Sequence, residues 1–308
     1  MEVALTKKQI KLLNHSSLFR NKIIAILASI PLWIAFFAVM YFSNGLLLVP
    51  VAVLFFSIWF IVSMIRAIFI GSSILVSEHN FPEVLNLSER IKNRIGYSGK
   101  VEIYICDGSR INATLMRYFN RKILYLTSKA IEETKENQAE LVWLIARHYA
   151  ALRVRQSELL LIQLLILWTD TAKVMNLFIY PYFRSVSYTG DMVGLALCGD
   201  LASSISGLNK LLMGGKLYKE VSIAGIATQS LELKGNFFGW ITTLISPEPH
   251  MVNRHLNLVA FTHEQWPGEY ERYMSSLNPA TRQSVETQMS RLRLYSAGVL
   301  SQPPSPPA

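Results

Sequence analysis

IIAILASIPLWIAFFAVMYF at residues 23–42 and LLLVPVAVLFFSIWFIVSMI at residues 46–65 are two uncharged, apolar runs of 20 residues each. A helix of this length crosses the ~30 Å hydrocarbon core of a bilayer. Only Ser43-Asn44-Gly45 joins them, so the sequence predicts a tight transmembrane hairpin within residues 23–70. Neither run has the shorter apolar core and the small-residue cleavage site of a cleaved signal peptide. The alternative is a pair of helices buried in a protein core.

Composition and charge placement indicate one membrane region and one globular domain. The chain is 51% hydrophobic and only 17% charged, which is too apolar for an ordinary soluble enzyme and too charged for a protein that lies wholly in the membrane. Six cationic residues and one acidic residue in residues 1–66 account for five of the nine net positive charges. Positive charge beside apolar spans marks the cytoplasmic side and attracts anionic lipid.

We therefore expect an integral, multi-pass protein of the bacterial inner membrane. Its N-terminal segment (residues 1–22) and its soluble domain should both be cytoplasmic. The lipid bilayer is one expected partner. Nucleic acid is not, because the chain has no basic stripe with interleaved aromatic residues.

After the hairpin, the patterns are typical of a mainly α domain with a small β-sheet, over residues 71–266. Phe81-Pro82 opens an amphipathic helix that Gly96 ends. Residues 101–106 and 122–127 are strand-like, because they are rich in β-branched and aromatic residues. A further helix is predicted from about Glu136 to Gln156.

The remaining segments are less regular. Residues 158–183 are apolar, but charges at the centre of this stretch favour two buried or membrane-grazing helices over a span. Residues 200–232 predict helices separated by a turn. Asn278-Pro279 should open a helix within a C-terminal segment, residues 267–300, that faces the surface or a partner. The tail at residues 301–308, SQPPSPPA, is expected to be disordered.

Four short motifs follow one another along the domain. They are Asn112-Ala113, LIARHYAA at residues 144–151, RSVSYTGD at residues 184–191 and PHMVNRHLNL at residues 249–258. In this order they resemble the membrane zinc endopeptidases of the HtpX and CAAX-prenyl-protease kind. In that family the helix carries H-E-x-x-H, and the third zinc ligand is the Glu of R-x-x-E-Y-x-x-D. The resemblance implies a metallopeptidase-like α+β fold.

This chain has other residues at the positions that carry the family's chemistry. The resemblance places Arg147 and Ala151 at the two histidine positions, His148 at the general-base position and Ser187 at the third-ligand position. Zinc hydrolysis needs three protein ligands, an open position for water and a base. Arginine cannot give up its proton to bind a cation, and alanine has no ligand atom. The resemblance therefore implies a pseudoenzyme without zinc or another cofactor.

Asp191 is retained, and it corresponds to an acid that would orient a zinc-bound histidine. We expect Arg147 and Asp191 to form a charge-assisted pair in the former metal site. Two alternatives remain open at this stage. Arg147 faces solvent on an unrelated helix, or a rebuilt zinc site joins His148 to one or more of His250, His255 and His263.

The resemblance also implies a function. Peptidases of this kind bind substrate as an extended strand along an edge strand above the active-site helix. Asn112, Ala113 and Thr114 are the candidate edge, with an ordinary turn as the alternative. The expected function is a membrane-anchored pseudo-metallopeptidase that binds polypeptide or a membrane-protein partner as a regulator, adaptor or holdase, without hydrolysis. The alternatives are an active metalloendopeptidase with an atypical zinc site and a structural component of a membrane assembly.

Overall fold

The computed structural model describes residues 5–108, 112–118, 121–155 and 173–292. These residues are mostly helical and include a small β-sheet, as the patterns predicted; the sheet is mixed and has four strands. The helices are α1 (Lys7–Leu12), α2 (Leu18–Phe42), α3 (Leu48–Ser72), α4 (Pro82–Ile95), α5 (Ser128–Thr134), α6 (Gln138–Arg155), α7 (Lys173–Cys198), α8 (Leu201–Met213), α9 (Ile223–Gly235), α10 (Phe237–Ile245), α11 (Met251–Gln265), α12 (Pro267–Ser275) and α13 (Pro279–Leu292). The strands are β1 (Ile74–Leu75), β2 (Glu102–Cys106), β3 (Ala113–Tyr118) and β4 (Arg121–Thr127).

Helices α2 and α3 contain the two apolar runs. Each has 25 residues and is long and apolar enough to cross a membrane. Asn44 and Gly45 adopt positive φ angles of 50° and 82° in the turn between them. Large apolar side chains along both helices are exposed, among them Ile34 at 64% and Trp59 at 55%. This exposure does not fit a pair of helices buried in a protein core.

The sheet has the order β1-β2-β4-β3, with β2 and β4 parallel and the other two pairs antiparallel. Strands β2 and β4 were predicted, and β3 was not. Because β3 pairs with β4 alone among the described strands, it forms one edge of the sheet. Asn112, Ala113 and Thr114 therefore stand at the beginning of an edge strand, and the alternative of an isolated turn is wrong.

The N-terminal segment packs against the domain. Leu5 and Leu13 are buried in the main hydrophobic core. The N–H of Leu5 donates to the carbonyl of Arg94 at 2.8 Å, and the N–H of His15 donates to Oγ1 of Thr189 at 2.9 Å. The segment before α2 is therefore packed against the domain that follows α3.

Helix α7 differs from the prediction for residues 158–183. Residues 173–183 are the first part of one helix that continues through Pro181 to Cys198, and residues 156–172 lie outside the described part of the chain. This helix runs antiparallel to α2, because Ser17 contacts Ser185 at 3.0 Å, whereas Asn21, further along α2, donates to the carbonyl of the earlier residue Pro181 at 3.1 Å. The first part of α7 therefore packs against α2 and is not a separate helix.

The C-terminal helix α13 begins as predicted, since the N–H of Thr281 donates to Oδ1 of Asn278 at 2.8 Å. It does not face only the surface or a partner, because Val285 is fully buried in the main core. The described chain ends at Leu292, so the rest of the predicted C-terminal segment and the tail at residues 301–308 lie beyond it.

Gly190 lets α6 and α7 approach closely. A Cβ atom at this position would lie 2.8 Å from the backbone oxygen of Arg147. We expect Gly190→Ala to lower the free energy of unfolding by about 1–3 kcal/mol, because the two helices would have to separate. Gly225→Ala in α9 is the matched control, since its Cβ would meet its nearest neighbour at 4.0 Å. Chemical denaturation of the two full-length variants in detergent measures the difference. Equal free energies of unfolding would exclude the close approach of α6 and α7 at Gly190.

Candidate functional site

The residues singled out in the four motifs meet at one open cavity of about 420 Å³. Helix α6 contributes Arg147, His148 and Ala151, and α7 contributes Ser187. Arg147 and Ala151 share a helix face because they are four residues apart. The other walls come from the edge strand and from the region around the start of α11, through Asn112, Ala113, Thr114, Leu115, Glu248, Met251 and Arg254.

Asp191 is fully buried beside the cavity and holds two arginines. Arg254 donates from Nε to Oδ2 and from Nη2 to Oδ1, both at 2.7 Å. Nε of Arg147 lies 3.4 Å from Oδ1. The expected contact between Arg147 and Asp191 is therefore present, but Arg254 is the closer partner. Arg147 does not face solvent, since its side chain is only 12% exposed.

The two guanidinium groups respond differently to this environment. Burial, followed by repulsion from Arg254, lowers the pKa of Arg147 to about 10, although Asp191 opposes this shift. Burial would also lower the pKa of Arg254, but the charge and hydrogen bonds of Asp191 raise it above its ordinary value. Both side chains are therefore cationic at neutral pH. One buried carboxylate faces two buried cations.

His148 is a buried, neutral imidazole below the edge strand. Burial, and then the charges of Arg147 and Arg254, hold its pKa well below its ordinary value, while a hydrogen bond with the backbone of Ala113 opposes the shift. Its Nε2 is buried and has no hydrogen-bond partner among the described residues. The hydrogen bond between His148 and the backbone of Ala113 joins α6 to β3.

The stability of the domain should fall as the pH drops from about 6.5 to about 4. Burial lowers the pKa of both His15 and His255 to about 4, and that of His148 also lies well below 6.5. Below the unfolded pKa of about 6.5, the unfolded chain binds protons that the folded chain does not, so unfolding is favoured. Between pH 7 and pH 5, His15 and His255 should each lower the free energy of unfolding by about 2 kcal/mol. Denaturation of wild type and of His255→Gln at pH 7 and at pH 5 tests this prediction. The free energy of unfolding should change less with pH in the variant, and an equal change in both proteins would contradict the role of His255.

The donor set at the cavity does not fit a zinc ion. Arg147 is a cation, Ala151 has no ligand atom, and the described residues contain no group of three or more His, Cys, Asp and Glu side chains placed to hold a metal. The alternative ligand set is not brought together. His255 bonds to the carbonyl of Met251 at 2.8 Å and to Oδ1 of Asn209 at 2.5 Å, and neither His250 nor His263 lines the cavity with His148.

The free edge of β3 is turned towards the cavity. The N–H of Thr127 donates to the carbonyl of Asn112 at 3.1 Å, so Asn112 faces β4. Backbone groups alternate between the two sides of a strand in an antiparallel pair. The N–H and C=O groups of Ala113 and Leu115 therefore point away from β4, and both residues line the cavity.

A second buried ion pair fixes the beginning of α6. Nζ of Lys210 lies 2.6 Å from Oε2 of Glu140 and donates to the carbonyl of Glu133 at 2.7 Å. The sequence gives no sign of this pair, because the two residues lie 70 positions apart in the chain. Their pairing holds α8 against the N-terminal end of the helix that carries Arg147.

The structure thus places all the candidate positions in one region. Arg147, His148, Ala151 and Ser187 line the cavity with the edge strand, and Asp191 joins Arg147 to Arg254. Comparisons of the chain with family models, with curated proteins and with solved structures find no match.

Proposed function

We propose that this protein is a membrane-anchored pseudo-metallopeptidase that binds extended polypeptide without hydrolysing it. The bound polypeptide includes segments of partner membrane proteins, and the role is that of a regulator, adaptor or holdase. One observation carries the proposal. Positions 147, 151 and 187, which the resemblance assigns to three zinc ligands, all line one cavity beside an edge strand.

The cations at the cavity replace the charge that a metal would supply. Asp191, which would orient a zinc-bound histidine in the family, here binds Arg254 and Arg147. A guanidinium donates hydrogen bonds but offers no position for an activated water. Position 148 carries a histidine in place of the carboxylate that would accept a proton there in the family. The site is therefore suited to binding and not to hydrolysis.

The edge of β3 provides the binding mode. Leu115 offers outward N–H and C=O groups to a strand added to the sheet, and each hydrogen bond formed contributes about 0.5–1.5 kcal/mol. The backbone of Ala113 already bonds to His148.

The proposal places α2 and α3 across the bacterial inner membrane. The N-terminal segment packs on the domain that follows α3, as the bond between Leu5 and Arg94 illustrates, so both ends of the hairpin lie on one side. The positive charge around the apolar runs favours the cytoplasm for that side. The groove then faces cytoplasmic segments of membrane proteins.

Site-specific photo-crosslinking tests the proposed groove. A photoreactive residue at Thr114 should capture a reduced, carboxymethylated unfolded protein, and an excess of unlabelled probe should compete. The matched control is Ile74, which is exposed on the opposite edge of the sheet. Equal capture at Thr114 and at Ile74 would contradict the proposal that polypeptide binds at the edge of β3. Cleavage of the probe would overturn the pseudoenzyme assignment.

A further inference from the structure

A second cavity, of about 620 Å³, lies where the N-terminal segment meets α2 and α6. Its cationic lining residues are Lys11, Lys22 and Arg153, and no Asp or Glu is among its described lining residues. Arg153 is held in place because its guanidinium donates to the carbonyls of Ile95 and Gly96 at the end of α4. Three cations from three elements therefore line one open cavity.

The apolar lining continues onto the predicted span. Ile10, Leu18 and Phe19 line the same cavity, and Phe19 is 75% exposed. Lys22 is the last charged residue before the uncharged run at residues 23–42. In a helix that enters a bilayer at this point, Lys22 lies at the level of the lipid headgroups. The cavity thus combines positive charge for a headgroup with apolar surface for the adjoining acyl chain.

We propose that this cavity binds the phosphate-bearing headgroup of an anionic lipid. The proposal rests on the membrane insertion of α2 within the proposed function, and it does not depend on polypeptide binding at β3. Lipid in this position fills the space between α1, α2 and α6. It thereby fixes the soluble domain against the membrane surface.

Photo-labelling in nanodiscs tests the lipid site. The full-length protein is reconstituted with a photoactivatable phosphatidylglycerol, and the labelled peptides are identified by mass spectrometry. Labelling should concentrate on residues 10–22 and around Arg153. The variant Lys11→Gln with Lys22→Gln should lose at least about tenfold of this labelling, since each basic residue strengthens attraction to anionic lipid. The matched control, Lys100→Gln with Lys216→Gln, removes the same charge outside the cavity and should label as the wild type does.

Three results would overturn the lipid site. They are equal labelling by a phosphatidylcholine probe, displacement by millimolar inorganic phosphate, and equal loss in the control variant. Co-purification of the protein with the nanodisc reports insertion separately, and cross-linking at Thr114 reports polypeptide binding. Loss of the lipid site can therefore be told apart from failure of either element of the proposed function.

Discussion

Replacing Asp191 with asparagine is expected to lower the free energy of unfolding by about 3–5 kcal/mol. Asp191 is fully buried, and its two oxygens accept hydrogen bonds from Arg254. Asparagine keeps the shape but removes the charge, so Arg254 and Arg147 would face each other in a buried site with only Glu248 as a counter-charge. This penalty exceeds the loss of one neutral hydrogen bond, which is about 1 kcal/mol.

The control for this prediction is Glu89→Gln, which removes a partner of Lys92 in a pair three residues apart on the surface of α4. Such a pair contributes at most about 1 kcal/mol. Denaturant unfolding of both variants in the same detergent measures the difference. Equal stability of the two variants would show that Asp191 does not hold the two arginines as described. Adding Arg254→Met to Asp191→Asn should recover part of the loss, because one uncompensated charge is removed.

Leu115→Pro is expected to weaken polypeptide binding by at least about tenfold while leaving the sheet intact. The N–H of Leu115 points away from β4, so its loss breaks no hydrogen bond in the ladder between β3 and β4. It does remove one donor from the free edge, and the proline ring occupies the space that an added strand needs. Proline is tolerated on edge strands at such positions.

Fluorescence anisotropy of a labelled unfolded protein, titrated with wild type, Leu115→Pro and Leu115→Val, measures this effect. The valine variant keeps the N–H and should bind within about twofold of wild type. Unfolding midpoints for the three proteins establish that the fold is retained. Unchanged binding by a folded proline variant would place the polypeptide somewhere other than β3.

Features that depend on local periodicity were predictable from the sequence. The two apolar runs became α2 and α3, and the helix after Phe81 ends at Gly96 in the left-handed conformation that glycine favours. Strands β2 and β4 were recognisable because they are buried and rich in β-branched residues. The helix that carries Arg147 was likewise visible from its spacing of leucines and isoleucine.

Features that depend on distant partners were not predictable in this way. Strand β3, with the sequence ATLMRY, includes polar residues because it lies at an edge, so its pattern is weak. Helix α7 continues through a proline because its packing against α2 and α6 compensates for the local cost. The pairing of Asp191 with Arg254 spans 63 residues, and no local pattern encodes it.

The packing of the N-terminal segment was also not predictable from its sequence. Its lysines were interpreted as topology signals, which explains their sign and their position beside the span. Leu5 and Leu13 are too few to show a periodic pattern, yet both are buried in the main core. The cavity around Lys11 and Lys22 follows from that packing and has no counterpart in the sequence pattern.

The metal content of the purified full-length protein distinguishes the proposed pseudo-metallopeptidase from a zinc enzyme. The protein is treated with a mild chelator, incubated with zinc, dialysed and analysed by inorganic mass spectrometry. Arg147 and Ala151 stand at two positions that the resemblance assigns to zinc ligands, and Asp191 is bound to arginines. We therefore expect far less than one zinc per chain. One zinc per chain that resists dialysis would contradict this expectation, and would require a ligand set around His148 that the described residues do not provide.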